Sequence, residues 1–205
     1  IAKELGLGQV LNLGLEIEKK GIVPTKKWKK EILKQNWYAG DTLNTAIGQG
    51  YALCTPLQLA VMIARIASNG KKVEPTLFKQ SSVKKFKQIN LNNNHIELIQ
   101  KGLFQVVNDE RGTAYKSRSN IFKFSGKTGT SQLKTITLEE RASDEFRKKE
   151  LEWKNKDHAL FVGYMPSDKP KYAISVVIEH GGSGAATAAP IAKNVFDFLH
   201  KVNLV

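Results

Sequence analysis

Four consecutive residues, Lys127-Thr128-Gly129-Thr130, combine groups that can bind a peptide ending in a carboxylate. Lys127 supplies a positive charge, and Thr128 and Thr130 supply hydroxyl groups. Gly129 lets a ligand or another backbone approach closely, because it has no side chain. If the tetrad lies on an exposed strand edge, its backbone N–H and C=O groups can also pair with an extended peptide. The tetrad therefore suits a peptide that lies along the strand and ends in a carboxylate.

An ordinary strand with a glycine bulge is the alternative interpretation, since a bare three-residue match arises by chance in roughly a few per cent of chains of this length. The surrounding pattern separates the two interpretations. The tetrad lies inside a predicted strand, Ile121 to Gln132, and two more strands are predicted at Ala159 to Met165 and Lys171 to Glu179. In the last strand alternate apolar residues face one way, namely Tyr172, Ile174, Val176 and Ile178.

Helices are predicted on both sides of these strands. Thr55 supplies an N-cap, Pro56 the first helical position and Gln58 the third residue of a capping box. The run that follows to Ala67 is apolar on nearly all sides, which predicts a buried helix, and Asn69-Gly70 predicts its end. Two further helices each carry an apolar stripe: Ile96, Ile99, Leu103, Val106 and Val107 in His95 to Asn108, and Ile191, Val195, Phe198, Leu199 and Val202 in the helix from about Pro190.

The order of these elements predicts an α+β fold in which an antiparallel sheet is flanked by helices. The 205 residues are enough for one domain with a hydrophobic core, and we interpret 1–205 as part of one domain. A strongly charged segment at about 133–157 separates the first strand from the second and predicts an insertion or a solvated helix.

Composition limits the possible functions. The net charge is +13, and most of the positive charge comes from lysines spread along the whole chain. Such a charge favours anionic partners. Nucleic-acid-binding surfaces usually cluster arginine with aromatic residues, and no nucleic-acid motif is present. A basic nucleic-acid-binding module remains an alternative that would show steeply salt-dependent DNA binding. No run of 18 or more apolar residues occurs.

Cysteine and histidine usage predicts neither a disulfide nor a metal site, and we expect no cofactor. Cys54 is the only cysteine, so no internal disulfide is possible, and its apolar surroundings predict a buried, inert thiol. The histidines are too far apart for metal-ligand spacing; they are His95, His158, His180 and His200.

Several ordered stretches resemble the penicillin-binding proteins, and the likeness covers almost the whole chain. Lys127-Thr128-Gly129-Thr130 matches the family's third motif. Trp37-Tyr38-Ala39-Gly40-Asp41-Thr42 resembles the elongation-type class B subgroup, penicillin-binding protein 2. Other matching stretches are Ile47-Gly48-Gln49-Gly50, Thr55 to Ala60, Gly112-Thr113-Ala114, Asp157-His158-Ala159 and Gly181-Gly182-Ser183-Gly184. The resemblance implies a penicillin-binding-protein/β-lactamase-like fold and identifies the sequence as the C-terminal part of a transpeptidase domain.

The resemblance also implies a D,D-transpeptidase, in which a serine attacks the carbonyl between two terminal D-alanines of a cell-wall stem peptide. By position, Lys127 should hold the hydroxyl of the second-motif serine and add positive potential near the substrate carboxylate. The hydroxyls of Thr128 and Thr130 should lie near that carboxylate, and the backbone N–H of Thr130 should form half of the oxyanion hole. Gly129 should keep the strand edge clear.

The first two family motifs, Ser-x-x-Lys and Ser-x-Asn or Ser-x-Asp, do not occur in a suitable context. We therefore expect the nucleophile to lie outside this sequence, and we expect the 205 residues alone to be inactive and to fold poorly. A serine β-lactamase, a D,D-carboxypeptidase and a non-catalytic β-lactam or peptidoglycan sensor remain alternatives. The stretch Gly48 to Ala60 favours a high-molecular-mass transpeptidase over the first two.

The family resemblance further implies partners and a location. The expected ligands are peptidoglycan stem peptides and β-lactams, and the expected partner is a membrane glycosyltransferase of the elongation machinery. The resemblance implies an N-terminal anchor in the bacterial inner membrane and a catalytic domain that faces the periplasm. Because the charged segment at 133–157 follows the third motif, we expect it near the active-site mouth, as a gate or a partner contact.

Overall fold

The computed structural model describes residues 1–78, 85–133 and 153–202. In this part of the chain one antiparallel sheet contains the strands β1 (Ser125–Ser131), β2 (His158–Met165) and β3 (Tyr172–Ile178), in the order β1-β2-β3. Thr130 pairs with Ala159 across β1 and β2, and a tight turn returns the chain into β3. Within the described residues β1 is therefore an edge strand, paired on one side only.

Helices lie on both faces of the sheet. Their bounds are α1 Lys26–Ile32, α2 Ala39–Ala46, α3 Pro56–Ala67, α4 Asn93–Asn108 and α5 Ala189–Lys201. Helix α3 packs on one face of the sheet and α5 on the other. The predicted α+β class and the antiparallel sheet flanked by helices are confirmed. Among the described residues no helix is both long and apolar enough to cross a bilayer.

Helix α3 forms as its sequence predicts. The Thr55 hydroxyl accepts from the Gln58 N–H at 3.1 Å, and the Gln58 side chain accepts from the Thr55 N–H at 3.2 Å, which completes the capping box. Asn69 and Gly70 adopt left-handed conformations, and the Gly70 N–H closes the helix on the Arg65 carbonyl. From Leu57 to Ser68 every side chain is buried or half-buried, so the expected buried helix is observed.

Aromatic rings join the sheet to α5. Phe124, which precedes β1, packs its ring 6.3 Å from that of Phe161 on β2 and 5.3 Å from that of Phe196 on α5. All three side chains are fully buried. Full burial of such side chains contributes roughly 1.5–3 kcal/mol each. The cluster fixes the start of β1 against the rest of the domain.

Several sequence predictions are wrong in detail. Strand β1 begins at Ser125 rather than Ile121, because Ile121 is exposed and its N–H bonds to the Ser119 hydroxyl, outside any strand. Ile99 is exposed on α4. Cys54 is exposed rather than buried. On α5 most of the predicted core stripe faces outward, because the helix turns a different face toward the sheet, formed by Ala189, Ala192 and Phe196.

The charged segment predicted at about 133–157 falls mainly on 134–152, outside the described residues. Its two ends lie side by side, since the Leu133 N–H donates to the Asp157 carboxylate at 3.1 Å. Leu133, after β1, and Asp157, before β2, are therefore neighbours at the same end of the sheet.

Candidate active site

The tetrad lies on β1, and its even-numbered residues turn their backbone groups away from β2. The Gln49 side-chain amide donates to the Thr130 carbonyl at 3.0 Å, and that of Asn108 donates to the Phe124 carbonyl at 3.0 Å. In an extended strand the N–H and the C=O of one residue point to the same side. The N–H of Thr130 therefore also faces the unpaired edge of β1.

The two polar side chains of the tetrad that precede Gly129 lie at the same edge. The Lys127 ammonium donates to the Thr128 carbonyl at 2.7 Å and lies 3.4 Å from the Thr128 hydroxyl. That hydroxyl is 2.9 Å from the hydroxyl of Thr113. Lys127, Thr113 and Thr130 are exposed and Thr128 is half-buried. The edge therefore presents a cation, hydroxyl groups and outward backbone groups together, as binding of an anionic peptide end requires.

Thr113 reaches the tetrad because the chain turns tightly after α4. The Ala114 N–H donates to the Val106 carbonyl at 3.0 Å, so the chain folds back onto the last turn of the helix. A Cβ on Gly112 would lie 2.5 Å from the Gln105 carbonyl oxygen and 2.7 Å from the Val106 carbonyl carbon. Only glycine fits there without displacing the backbone. Gly112 thus allows Thr113 to be positioned over β1.

The loop before α5 packs directly on the tetrad. A Cβ on Gly184 would lie 2.5 Å from the Leu160 carbonyl oxygen and 3.0 Å from the Gly129 nitrogen. A Cβ on Gly129 would itself meet the Leu160 Cβ at 3.3 Å, over the sheet. Gly129 is therefore closely packed against the body of the sheet, and its predicted role at the free edge stays a prediction.

Gln49 is held in place by a cluster around Lys29. The Lys29 ammonium bonds to the Asp41 carboxylate at 2.7 Å and lies 5.1 Å and 5.3 Å from the ring centroids of Tyr38 and Tyr51. The hydrogen bond between Lys29 and Asp41 holds the pKa of the carboxyl below its ordinary value and raises the pKa of the ammonium. This cluster fixes α2 and the chain beyond Gln49, so that the Gln49 side chain reaches β1.

In the described part of the chain no group of three histidine, cysteine, aspartate or glutamate side chains could hold a metal ion. His158 and His180 lie close together, but the His158 ring accepts from the His180 backbone N–H at 3.0 Å. This bond ties the start of β2 to the loop after β3.

Comparison with known families shows which family the chain belongs to. The family model of the penicillin binding protein transpeptidase domain matches residues 1–197. The chain belongs to this transpeptidase-domain family. It is 32% identical to the peptidoglycan D,D-transpeptidase MrdA of Haemophilus influenzae and 34% identical to that of Acinetobacter baumannii, with 96% of the chain covered in each case. The chain spans about a third of the length of these relatives, 31% and 30%.

Solved structures of the family show the same fold. The PBP2 of Helicobacter pylori, solved as a complex with MreC, superposes with a TM-score of 0.85 at 32% identity, over 99% of this chain and 35% of that one. The PBP2 of Pseudomonas aeruginosa, solved in complex with WCK 5153, gives 0.78 at 33% identity, over 96% and 42%. These PBP2 and MrdA relatives confirm the predicted PBP2 subgroup of the penicillin-binding proteins.

Sequence reasoning placed the tetrad on a strand but missed Gln49 and Thr113 as neighbours of it. Both lie in stretches that resemble the penicillin-binding proteins, Ile47-Gly48-Gln49-Gly50 and Gly112-Thr113-Ala114. The sequence signal that could have indicated both residues is a polar residue beside a glycine within such a stretch. The pairing itself was not predictable, because Gln49 lies 81 residues from Thr130.

Proposed function

We propose that this sequence is the C-terminal part of the transpeptidase domain of a peptidoglycan D,D-transpeptidase, which cross-links cell-wall stem peptides through a serine acyl-enzyme. The observation that carries the proposal is the outward N–H of Thr130, on the unpaired edge of β1 beside Lys127 and Thr128. The relatives named peptidoglycan D,D-transpeptidase MrdA support it.

In this proposal an extended donor peptide lies along the free edge of β1, as strand-addition ligands do. Its terminal carboxylate lies near the hydroxyls of Thr128 and Thr130 and in the positive potential of Lys127. The N–H of Thr130 donates to the carbonyl oxygen under attack and stabilises the negative charge that develops there. Losing one such donor costs on the order of 100- to 1000-fold in rate.

The remaining parts of the reaction are supplied from outside this sequence. The nucleophilic serine attacks the carbonyl between the two terminal D-alanines and expels the last one, and its own N–H is the second oxyanion donor. An amine on a neighbouring cell-wall strand then attacks the ester and displaces the serine. From this sequence, Lys127 holds the hydroxyl of the second-motif serine. The 205 residues alone are inactive in this proposal, and 133–157 is an insertion near the site.

The proposed ligands are stem peptides and β-lactams, which mimic the donor and leave a slowly hydrolysed ester. The proposed partners are an MreC-type protein, as in the Helicobacter pylori PBP2 complex, and a membrane glycosyltransferase of the elongation machinery that maintains cell shape. The proposed location is the bacterial inner membrane, with the catalytic domain in the periplasm.

Intact-mass spectrometry of the full-length protein after incubation with a β-lactam tests the function. One covalent adduct per chain, on a serine outside these 205 residues, is expected, and none on the 205 residues alone. Lys127→Ala should slow adduct formation by about 100-fold. Lys123→Ala, an exposed lysine just before β1, is the matched control and should leave the rate unchanged.

No adduct on the folded full-length protein would overturn the proposal and favour a non-catalytic sensor. An adduct that is lost within seconds, with turnover of the β-lactam, would instead favour a β-lactamase.

A further inference from the structure

Gln49 occupies the one backbone acceptor that a donor peptide needs at the reacting position. Its side-chain amide donates to the Thr130 carbonyl at 3.0 Å. In an antiparallel pair, a residue that receives an N–H bond through its carbonyl returns one through its own N–H. The donor residue whose carbonyl oxygen is held by the Thr130 N–H therefore places its own N–H against the Thr130 carbonyl. Gln49 and the donor cannot both have that site with ideal geometry.

The position of Gln49 allows its side chain to leave without disturbing the fold. Its backbone N–H is fixed to the Asn44 carbonyl at 2.9 Å, at the end of α2. Gly48 and Gly50, on either side, have positive φ angles of 76° and 72°. The side chain is only half-buried, so a rotation about its own bonds can return the amide to water.

We propose that the Gln49 side chain is a displaceable latch, meaning that it blocks the donor site until the donor displaces it. In the resting protein it satisfies the Thr130 carbonyl, and a donor with a backbone amide at the attacked residue must displace it before it can pair with β1. The inference rests on the proposed function, since it assumes that donors bind along this edge. Gln49 is then a specificity-determining residue, because it competes only with ligands that bond to the Thr130 carbonyl.

The test compares two β-lactams on the full-length protein. Benzylpenicillin carries an amide next to its reactive carbonyl, and penicillanic acid is the same nucleus without that amide. Gln49→Met keeps the length of the side chain and removes its donor. Because one hydrogen bond to the resting site is lost, we expect the second-order acylation rate with benzylpenicillin to rise about two- to tenfold. With penicillanic acid the rate should not change.

Gln105→Met is the matched control, because Gln105 is exposed on α4 and should leave both rates unchanged. Equal rates for wild type and Gln49→Met with both compounds would overturn the latch. A fall with both compounds would also overturn it and would show that Gln49 supports β1. No adduct on the wild-type protein with either compound would overturn the proposed function itself, so the two failures are distinguishable.

Discussion

Gly184 offers the sharpest test of how the tetrad is held, because its backbone presses on the strand between Thr128 and Thr130. A Cβ added there would lie 2.5 Å from the Leu160 carbonyl oxygen, closer still to the Gly129 carbonyl oxygen and 3.0 Å from the Gly129 nitrogen. Backbone atoms on two paired strands cannot rotate away as a flexible side chain can. Gly184→Ala must therefore push the loop off the sheet or bend β1 at Gly129.

The size of the effect follows from the distances. To restore van der Waals contact, the loop or the strand must move by about half an ångström or more. Overpacking of this kind costs about 1–3 kcal/mol of unfolding free energy. A misplacement of about 1 Å at a reacting centre can cost on the order of 100-fold in rate. We therefore expect Gly184→Ala to slow acylation of the full-length protein by a β-lactam by about tenfold or more.

Stopped-flow or intact-mass acylation kinetics and thermal unfolding measure the two effects. Gly102→Ala is the matched control, since Gly102 lies in α4 and an added Cβ would meet nothing within 4 Å. That change should raise stability by about 0.5–1 kcal/mol and leave acylation unchanged. Acylation and stability equal to wild type in Gly184→Ala would show that the loop does not position the tetrad.

Three further predictions concern other contacts. Arg65→Met leaves two main-chain carbonyls without their buried donor, so the unfolding free energy measured in urea should fall by about 2–4 kcal/mol. Arg111→Met, at an exposed position, is the control and should change that free energy by less than about 0.5 kcal/mol. The folded-state pKa of Asp41 is lowered, so the stability that its ionised carboxylate gives the folded protein is lost as the pH falls. The difference in Tm between wild type and Asp41→Asn should therefore shrink below about pH 4. A difference that stays constant with pH would contradict this. Thr113→Val should slow acylation about two- to tenfold by freeing the Thr128 hydroxyl, and Thr113→Ser should restore it.

Local signals in the sequence predicted the elements that depend on neighbouring residues. The capping box at Thr55 and Gln58 places the start of α3, and the predicted bounds of β2 and β3 lie within a residue of the observed ones. The tetrad was also predicted on a strand. Each of these features depends on groups only a few residues apart, so the sequence alone specifies it.

Tertiary contacts decided the features that the sequence did not predict. Gln58 and Arg65 interrupt the apolar pattern of α3, yet both are buried, at 1% and 2% exposure. Gln58 donates to the carbonyl of Gln9 at 2.7 Å and Arg65 to that of Glu4 at 2.7 Å. These partners are 49 and 61 residues away. The apolar pattern predicted the wrong face of α5 for a related reason, since Ala189, Ala192 and Phe196 face the sheet rather than most of the predicted stripe.

The register of β1 matters as much as the identity of the tetrad, because a slip of one residue would turn the Thr130 N–H toward β2. A pair of glycines fixes that register. Gly126 pairs with Gly163, and a Cβ on either would lie 2.9 Å or less from the buried Phe161 ring. Slipping β1 by one residue would put a side chain under the ring. Gly163→Ala should therefore disturb the alignment of Thr130 although it lies four residue pairs away along the ladder. We expect slower acylation and a lower Tm together, and a loss of Tm alone would show that the register is held elsewhere.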